Sequence, residues 1–169
     1  MKSKVLFINP NFQGKIKAIS QITVGPPLGL AYLAAVLEND NFNVRILDAN
    51  ALGLSSKEII SYVNDFSPDI IGLSAMTPTI NQVHFLAERI KKILPNIKIL
   101  IGGVHASTMP EDTLKRFSNF DVVVLHEGEK IISELCTKII NNKKLDKIPG
   151  IVFRKGKSIK KNEFRHFIE

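Results

Sequence analysis

One cysteine, Cys136, is all the thiol that the 169 residues contain. A lone thiol excludes an intrachain disulfide and any cysteine-built metal cluster within these residues. It sits in IISELCTKII, where helical spacing makes it a small buried apolar side chain. No apolar run approaches the ~20 residues of a membrane-spanning helix, because Gly, Pro or charge interrupts each one. Met1-Lys2-Ser3-Lys4 before VLFIN has the charge of a signal peptide without its apolar length. Asn9-Pro10 ends that run, so it reads as the first strand of a cytoplasmic chain. The fingerprint G-x-G-x-x-G is missing too, and nothing cradles a pyrophosphate at the first helix. Asp48, which ends the second strand where a nicotinamide enzyme keeps its ribose-binding acid, is then an isolated signal. There is no internal repeat and no low-complexity linker, and the length suits one domain with a full core.

Apolar residues make up 44% and charged residues 23%, which places the chain among ordinary globular domains. The net charge of +7 is unevenly spread: residues 1–137 carry thirteen Lys/Arg and thirteen Asp/Glu, and residues 138–169 carry ten and three. A basic tail of this kind contacts phosphates in some proteins. No aromatic interleaving accompanies it, so it reads as a solvated hairpin edge guarded by lysines, and no nucleic-acid partner is expected.

Short, β-branched, continuously apolar runs recur: VLFIN (5–9), NVRILD (43–48), DIIGLS (69–74), IKILIG (97–102) and DVVVLH (121–126). Strands buried on both faces read this way. Helical patterns lie between them, at 28–39, 56–66, 80–94, 110–117 and 129–142. Pro27 suits a helix start, Ser55 or Ser56 can cap the second helix, and Glu111 and Asp112 place acid at a positive helix end. The alternation predicts a doubly wound α/β fold, with a mainly parallel five-stranded sheet in the order 2-1-3-4-5 and helices on both faces. IVFR, the KGK turn and SIKKN (151–162) add a C-terminal β-hairpin at one sheet edge.

Open α/β sheets bind ligands beyond the carboxyl ends of their strands, where strand order reverses. Four loops meet there. The first, from Asn9 to Pro27, is long, and loops of that length in a compact domain are usually functional. The third, SAMTPT (74–79), is small and hydroxyl-rich. The fourth, GGVHAS (102–107), puts paired glycines directly after a buried strand, where backbone approaches backbone or ligand without an intervening Cβ. In the fifth, HEGEK (126–130), Gly128 opens a helix and Glu127 and Glu129 suit its positive end. A tight turn alone would also explain Gly-Gly, but all four loops point at one crevice.

These residues resemble a known family. Cobalamin-binding domains of the methionine synthase and methylmalonyl-mutase type carry D-x-H-x-x-G after the first strand, S-x-L after the third and a Gly-Gly pair further on. Here Ser74-Ala75-Met76 stands for S-x-L, and after 25 residues Gly102-Gly103 follow. The first motif is broken: Asn9-Pro10-Asn11-Phe12-Gln13-Gly14 has Asn in place of both Asp and His. VGPPLGLAYLAAVLE (24–38), PDIIGLSAMT (68–77), IGGVHASTMPE (101–111), the EGE at 127–129 and IPGIVFRKGK (148–157) resemble the N-terminal domain of cobalamin-dependent radical SAM enzymes, across essentially the whole chain.

That resemblance implies a cobalamin-binding module, holding cobalt through its cofactor, of an enzyme that is most often a methyltransferase. By the same resemblance, Ser74, Ala75, Met76 and Thr77, with Gly102, Gly103, Val104 and His105, line the slot for the nucleotide arm. Asn9, Pro10 and Asn11 face the lower side of the corrin, and Leu125, His126, Glu127 and Gly128 flank the crevice. Polar contact or helix capping is the reading for His105 rather than cobalt ligation, and His84 and His166 read as structural or solvated. Residues 10–27 contain no His, Cys or Met. The cobalt is therefore expected base-off, with water or nothing below it and no metal ligand from the protein. C-x-x-x-C-x-x-C is absent, so the chain is not expected to be catalytic alone. S-adenosylmethionine and a four-iron four-sulfur cluster would be bound outside it, by a radical SAM domain in cis or in trans. The expected organisation is a cobalamin-binding domain over 1–162, with 163–169 starting a linker toward that domain. A stand-alone cobalamin carrier or sensor is the alternative, and a flavodoxin-like enzyme of another class a third reading, since fold alone does not fix function.

Overall fold

The apolar runs become strands of a single sheet in a computed structural model that describes residues 2–11 and 25–163. In chain order the strands are β1 (Lys4–Asn9), β2 (Asn43–Asp48), β3 (Ile70–Ser74), β4 (Lys98–Gly102), β5 (Val122–Val124), β6 (Ile151–Lys155) and β7 (Ser158–Lys161). Their spatial order is β2-β1-β3-β4-β5-β6-β7. The first five run parallel, and β6 and β7 pair antiparallel. Seven strands thus stand where the sequence predicts five and an edge hairpin. The hairpin is continuous with the sheet because β6 pairs with β5 from Ile151 opposite Val124 onward.

Period-2 alternation sorts the strand side chains onto two faces. Leu6, Ile8, Ile71, Leu73, Ile99 and Ile101 pack with helices α2 (Ser56–Phe66) and α3 (Ile80–Ile93), and with Ala106 of α4 (Val104–Thr108) and Leu114 of α5 (Pro110–Arg116). Val5, Phe7, Ile70, Leu100, Val122 and Val124 pack with α1 (Leu28–Asn39) and α6 (Ile132–Ile140), among whose buried residues is Cys136. Each such side chain, fully buried, contributes about 1.5–3 kcal/mol. No helix among the described residues is long and apolar enough to cross a membrane.

Local signals explain the helix starts. Ser55 caps α2 in a reciprocal box: its backbone N–H and hydroxyl donate to Glu58 Oε2 at 2.8 and 2.7 Å, and its hydroxyl accepts from the Glu58 N–H. Pro110 opens α5, with Glu111 and Asp112 in the first turn. Two expectations need correction. NVRILD is not buried on both faces: β2 is an edge strand with Asn43 and Arg45 exposed, and the Arg45 guanidinium lies 4.6 Å from the Phe66 ring centroid. Gly128 does not open α6, which begins at Ile132; the Gly128 carbonyl instead accepts from Ile131 and Ile132 N–H in the turn before it. Residues 12–24 of the first loop, and 164–169 with His166, lie outside the described residues.

Candidate functional site

The carboxyl ends of β3 and β4 stop level, Ser74 opposite Gly102, and the chain beyond them is tied together by main-chain bonds. Ala75 N–H donates to the Gly102 carbonyl at 3.0 Å, and His105 N–H donates back to the Ala75 carbonyl at 3.3 Å. Gly103 makes this closeness possible. Its φ is +91°, and a Cβ there would lie 2.6 Å from Ala75 O and 3.0 Å from Ser74 Oγ. At Gly102 a Cβ would meet nothing nearer than Val124 O, at 3.8 Å. The one glycine lets two backbones touch; the other leaves space.

That space is the mouth of a slot of about 330 Å³ between the sheet and the α1/α6 pair. Phe7, Gly72, Leu100 and Val124 contribute from the sheet; Pro27, Leu28, Gly29, Leu30 and Leu33 from α1 and its entry; Gly128, Glu129 and Ile132 from the approach to α6. The Phe7 ring lies across Gly72, where a Cβ would come within 2.5 Å of it. A mostly apolar hollow of this size with a few polar groups at its rim is the usual form of a small-molecule site.

Of the sequence-predicted residues, the structure brings Asn9, Ser74, Met76, Gly102, Gly103, His126 and Gly128 to this slot. Pro10 and Asn11 do not line it; they border a separate hollow with Leu54, Ser55 and Phe85, and Asn11 Nδ2 donates to the Leu54 carbonyl at 3.1 Å. Ala75 and Leu125 are buried behind the rim, and Val104 is 70% exposed outside it. Glu127 is not among the lining residues. Asn9 uses its amide on Asp48 at 2.9 Å, and Asp48 also accepts from Ala51 N–H, so this acid closes a turn.

His105 is 4% exposed; its Nδ1 faces Thr77 Oγ1 at 3.2 Å and its Nε2 has no partner. Burial, and secondarily the Arg116 charge, hold its pKa below the ordinary value against the opposing pull of Asp112. His84 packs on Phe117, ring centroids 4.7 Å apart. Among the described residues no three His, Cys, Asp or Glu side chains gather as metal ligands. Sequence reasoning missed the α1 wall, the Phe7–Gly72 contact and the slot-facing place of Glu129. The available signals were a glycine inside a continuous strand and one inside a helix, both of which mark close approach.

Against known proteins, the B12 binding domain family matches residues 16–136. An uncharacterized methyltransferase of Pyrococcus horikoshii is 31% identical over 98% of this chain and 36% of its own length. The anaerobic magnesium-protoporphyrin IX monomethyl ester cyclase of Rubrivivax gelatinosus is 31% identical over 80% of this chain and 24% of its own. The chain therefore spans about a third or less of the curated relatives it matches. The structure of the radical S-adenosylmethionine methyltransferase TsrM from Kitasatospora setae, with cobalamin and a [4Fe-4S] cluster bound, superposes on all of this chain with a TM-score of 0.80. At 23% identity over 30% of that enzyme, this is a likeness of fold.

Proposed function

The chain belongs to the B12-binding domain family, and from that premise we propose that it holds cobalamin with the nucleotide arm lowered into the slot between the sheet and α1/α6. The observation that carries this reading is the mouth of the slot: Gly102 leaves room for a ligand beside a backbone that Gly103 has locked in place. The residues fit the group. An aromatic base would be surrounded by Phe7, Leu33, Leu100 and Val124, while the Ser74 hydroxyl and main-chain groups stand at the polar rim. Bound there, the cofactor supplies a cobalt centre able to take and pass on a methyl group. The chain's own residues position the cofactor, exclude water from the arm and leave the strand ends clear for the corrin.

We read the cobalt as base-off, because an arm lowered into the slot takes the cofactor's own base with it, and as lacking a histidine from the first loop, because residues 10–27 contain no His, Cys or Met. One cysteine cannot hold a four-iron cluster, so the radical chemistry belongs to a catalytic domain supplied in cis or in trans, with methyl transfer the reaction it serves. Equilibrium dialysis against hydroxocobalamin tests the binding: one cofactor retained per chain is expected, and no retention overturns the reading. Electron paramagnetic resonance of the divalent-cobalt complex tests the coordination. Absence of nitrogen superhyperfine splitting is expected. Splitting would mean a coordinated base or imidazole, and its loss in His126→Ala would place that imidazole at the rim.

A further inference from the structure

Glu129 lines the slot with a carboxylate that the protein leaves unused. Its Oε2 is shut off from solvent and has no hydrogen-bond partner. Among the described residues lining the slot, no other side chain carries such an atom. An ionised carboxylate only accepts hydrogen bonds, and an acceptor buried without a donor costs the fold stability. The general explanation for acid near a helix start is bonding to the free N–H groups there. Here the N–H groups of Ile131 and Ile132 go to the Gly128 carbonyl, at 3.0 and 2.9 Å. A Cβ added at Gly128 would lie 3.0 Å from Leu33 and 3.1 Å from Val124, so the absence of a side chain lets this turn come close to both walls of the slot. The turn thus places an unpaired acceptor beside an apolar hollow, an arrangement suited to a ligand that brings its own donor.

Building on the cobalamin reading above, we infer that Glu129 is the acceptor for a neutral O–H donor on the cofactor's nucleotide arm, and so selects corrinoids that carry one. The ribose hydroxyls of the arm, which cobinamide lacks, are the donors that would satisfy the buried oxygen. Glu129 is then a specificity-determining residue of the slot.

Three proteins separate this from a structural role: the unsubstituted chain, Glu129→Ala and Glu129→Gln. By equilibrium dialysis, Glu129→Ala should bind hydroxocobalamin roughly ten- to a hundredfold more weakly, the loss expected when a charge-assisted hydrogen bond is removed. Glu129→Gln keeps an acceptor oxygen of the same shape without the charge and should recover part of that loss. Cobinamide, which lacks the nucleotide arm, should be held equally by all three proteins or by none. Without ligand, Glu129→Ala should melt at the same temperature as the unsubstituted chain or higher, since an unpaired acid has been removed. Full hydroxocobalamin affinity in Glu129→Ala, an equal loss toward cobinamide, or a lowered melting temperature of the free variant would each overturn the inference while leaving the cobalamin reading intact. Failure of the unsubstituted chain to retain either corrinoid would remove that reading and this inference together.

Discussion

Gly102 and Gly103 are chain neighbours, yet a methyl group added at each meets different surroundings. At Gly103 it meets the Ala75 carbonyl oxygen at 2.6 Å on a backbone whose φ is +91°, and both terms oppose a side chain. Gly103→Ala should therefore lower the stability of the free chain by about 1–3 kcal/mol, seen as an earlier midpoint in denaturant. At Gly102 the nearest atom would be 3.8 Å away, and the added volume would enter the slot. Gly102→Val should keep a melting temperature near that of the unsubstituted chain and bind hydroxocobalamin at least roughly tenfold more weakly, a modest steric cost in affinity terms. Native affinity in that variant would refute the placement of the nucleotide arm.

Among the elements, the antiparallel hairpin does more than widen the sheet. From β6, the Arg154 guanidinium donates to the carbonyls of Leu114, Phe117 and Phe120, the last two at 3.0 and 2.9 Å. Carbonyls at the end of a helix lack partners within it, so this one side chain ties α5 to the hairpin. Arg154→Met, which keeps the apolar stem, should cost about 2–3 kcal/mol in denaturant melts, and Arg154→Lys should recover only part, because an ammonium cannot reproduce the fork. The parallel core was legible because its signals are local: β-branched runs of strand length, and capping residues such as Ser55 and Pro110. Edge position was not. NVRILD alternates polar and apolar through Arg45, as a half-exposed strand does, but that pattern alone does not tell that β2 has a partner on one side only. The slot was half legible. Residues at strand ends, such as Ser74 and Gly102, follow from topology, whereas Leu33 and Glu129 line it because of how α1 and the turn before α6 cross the sheet. That crossing is decided by packing between segments far apart in sequence. Asn11 shows the same dependence on packing: it lies two residues beyond Asn9, yet its side chain bonds the Leu54 carbonyl and does not line the slot.

For the molecule as a whole, the shifts of His105, Glu58 and Asp146 favour the fold away from acid, while burial pushes the Cys136 thiol up to about 12 and so favours the fold away from strong alkali. His105 is held below its ordinary 6.5 by burial, with Arg116 adding to it, so its neutral form is the folded one. Its contribution is complete above pH 6.5 and is lost as the pH falls below that value. Glu58 is lowered from 4.5 by the Ser55 hydroxyl and backbone, and Asp146 from 3.8 by Lys155 and Lys160. Those contributions persist above the carboxylate range and disappear as the pH falls through it; Glu58 is exposed and Asp146 partly so, and salt should weaken both. Thermal melts should show stability falling in two stages on acidification, and His105→Asn should remove the upper stage and spare the lower. An unchanged upper stage in that variant would assign it to another group. The sheet order has a consequence for synthesis as well. β1 comes earlier in the chain than any other described strand, yet it lies inside the sheet, with Val5 partnered by both Val44 and Ile70. On the ribosome it must wait unpaired for β2, and its second edge stays open until β3 has emerged. Gly102 and Gly128, which line the slot, come later still, so with the nucleotide arm placed there as proposed, loading would follow translation of the α6 approach.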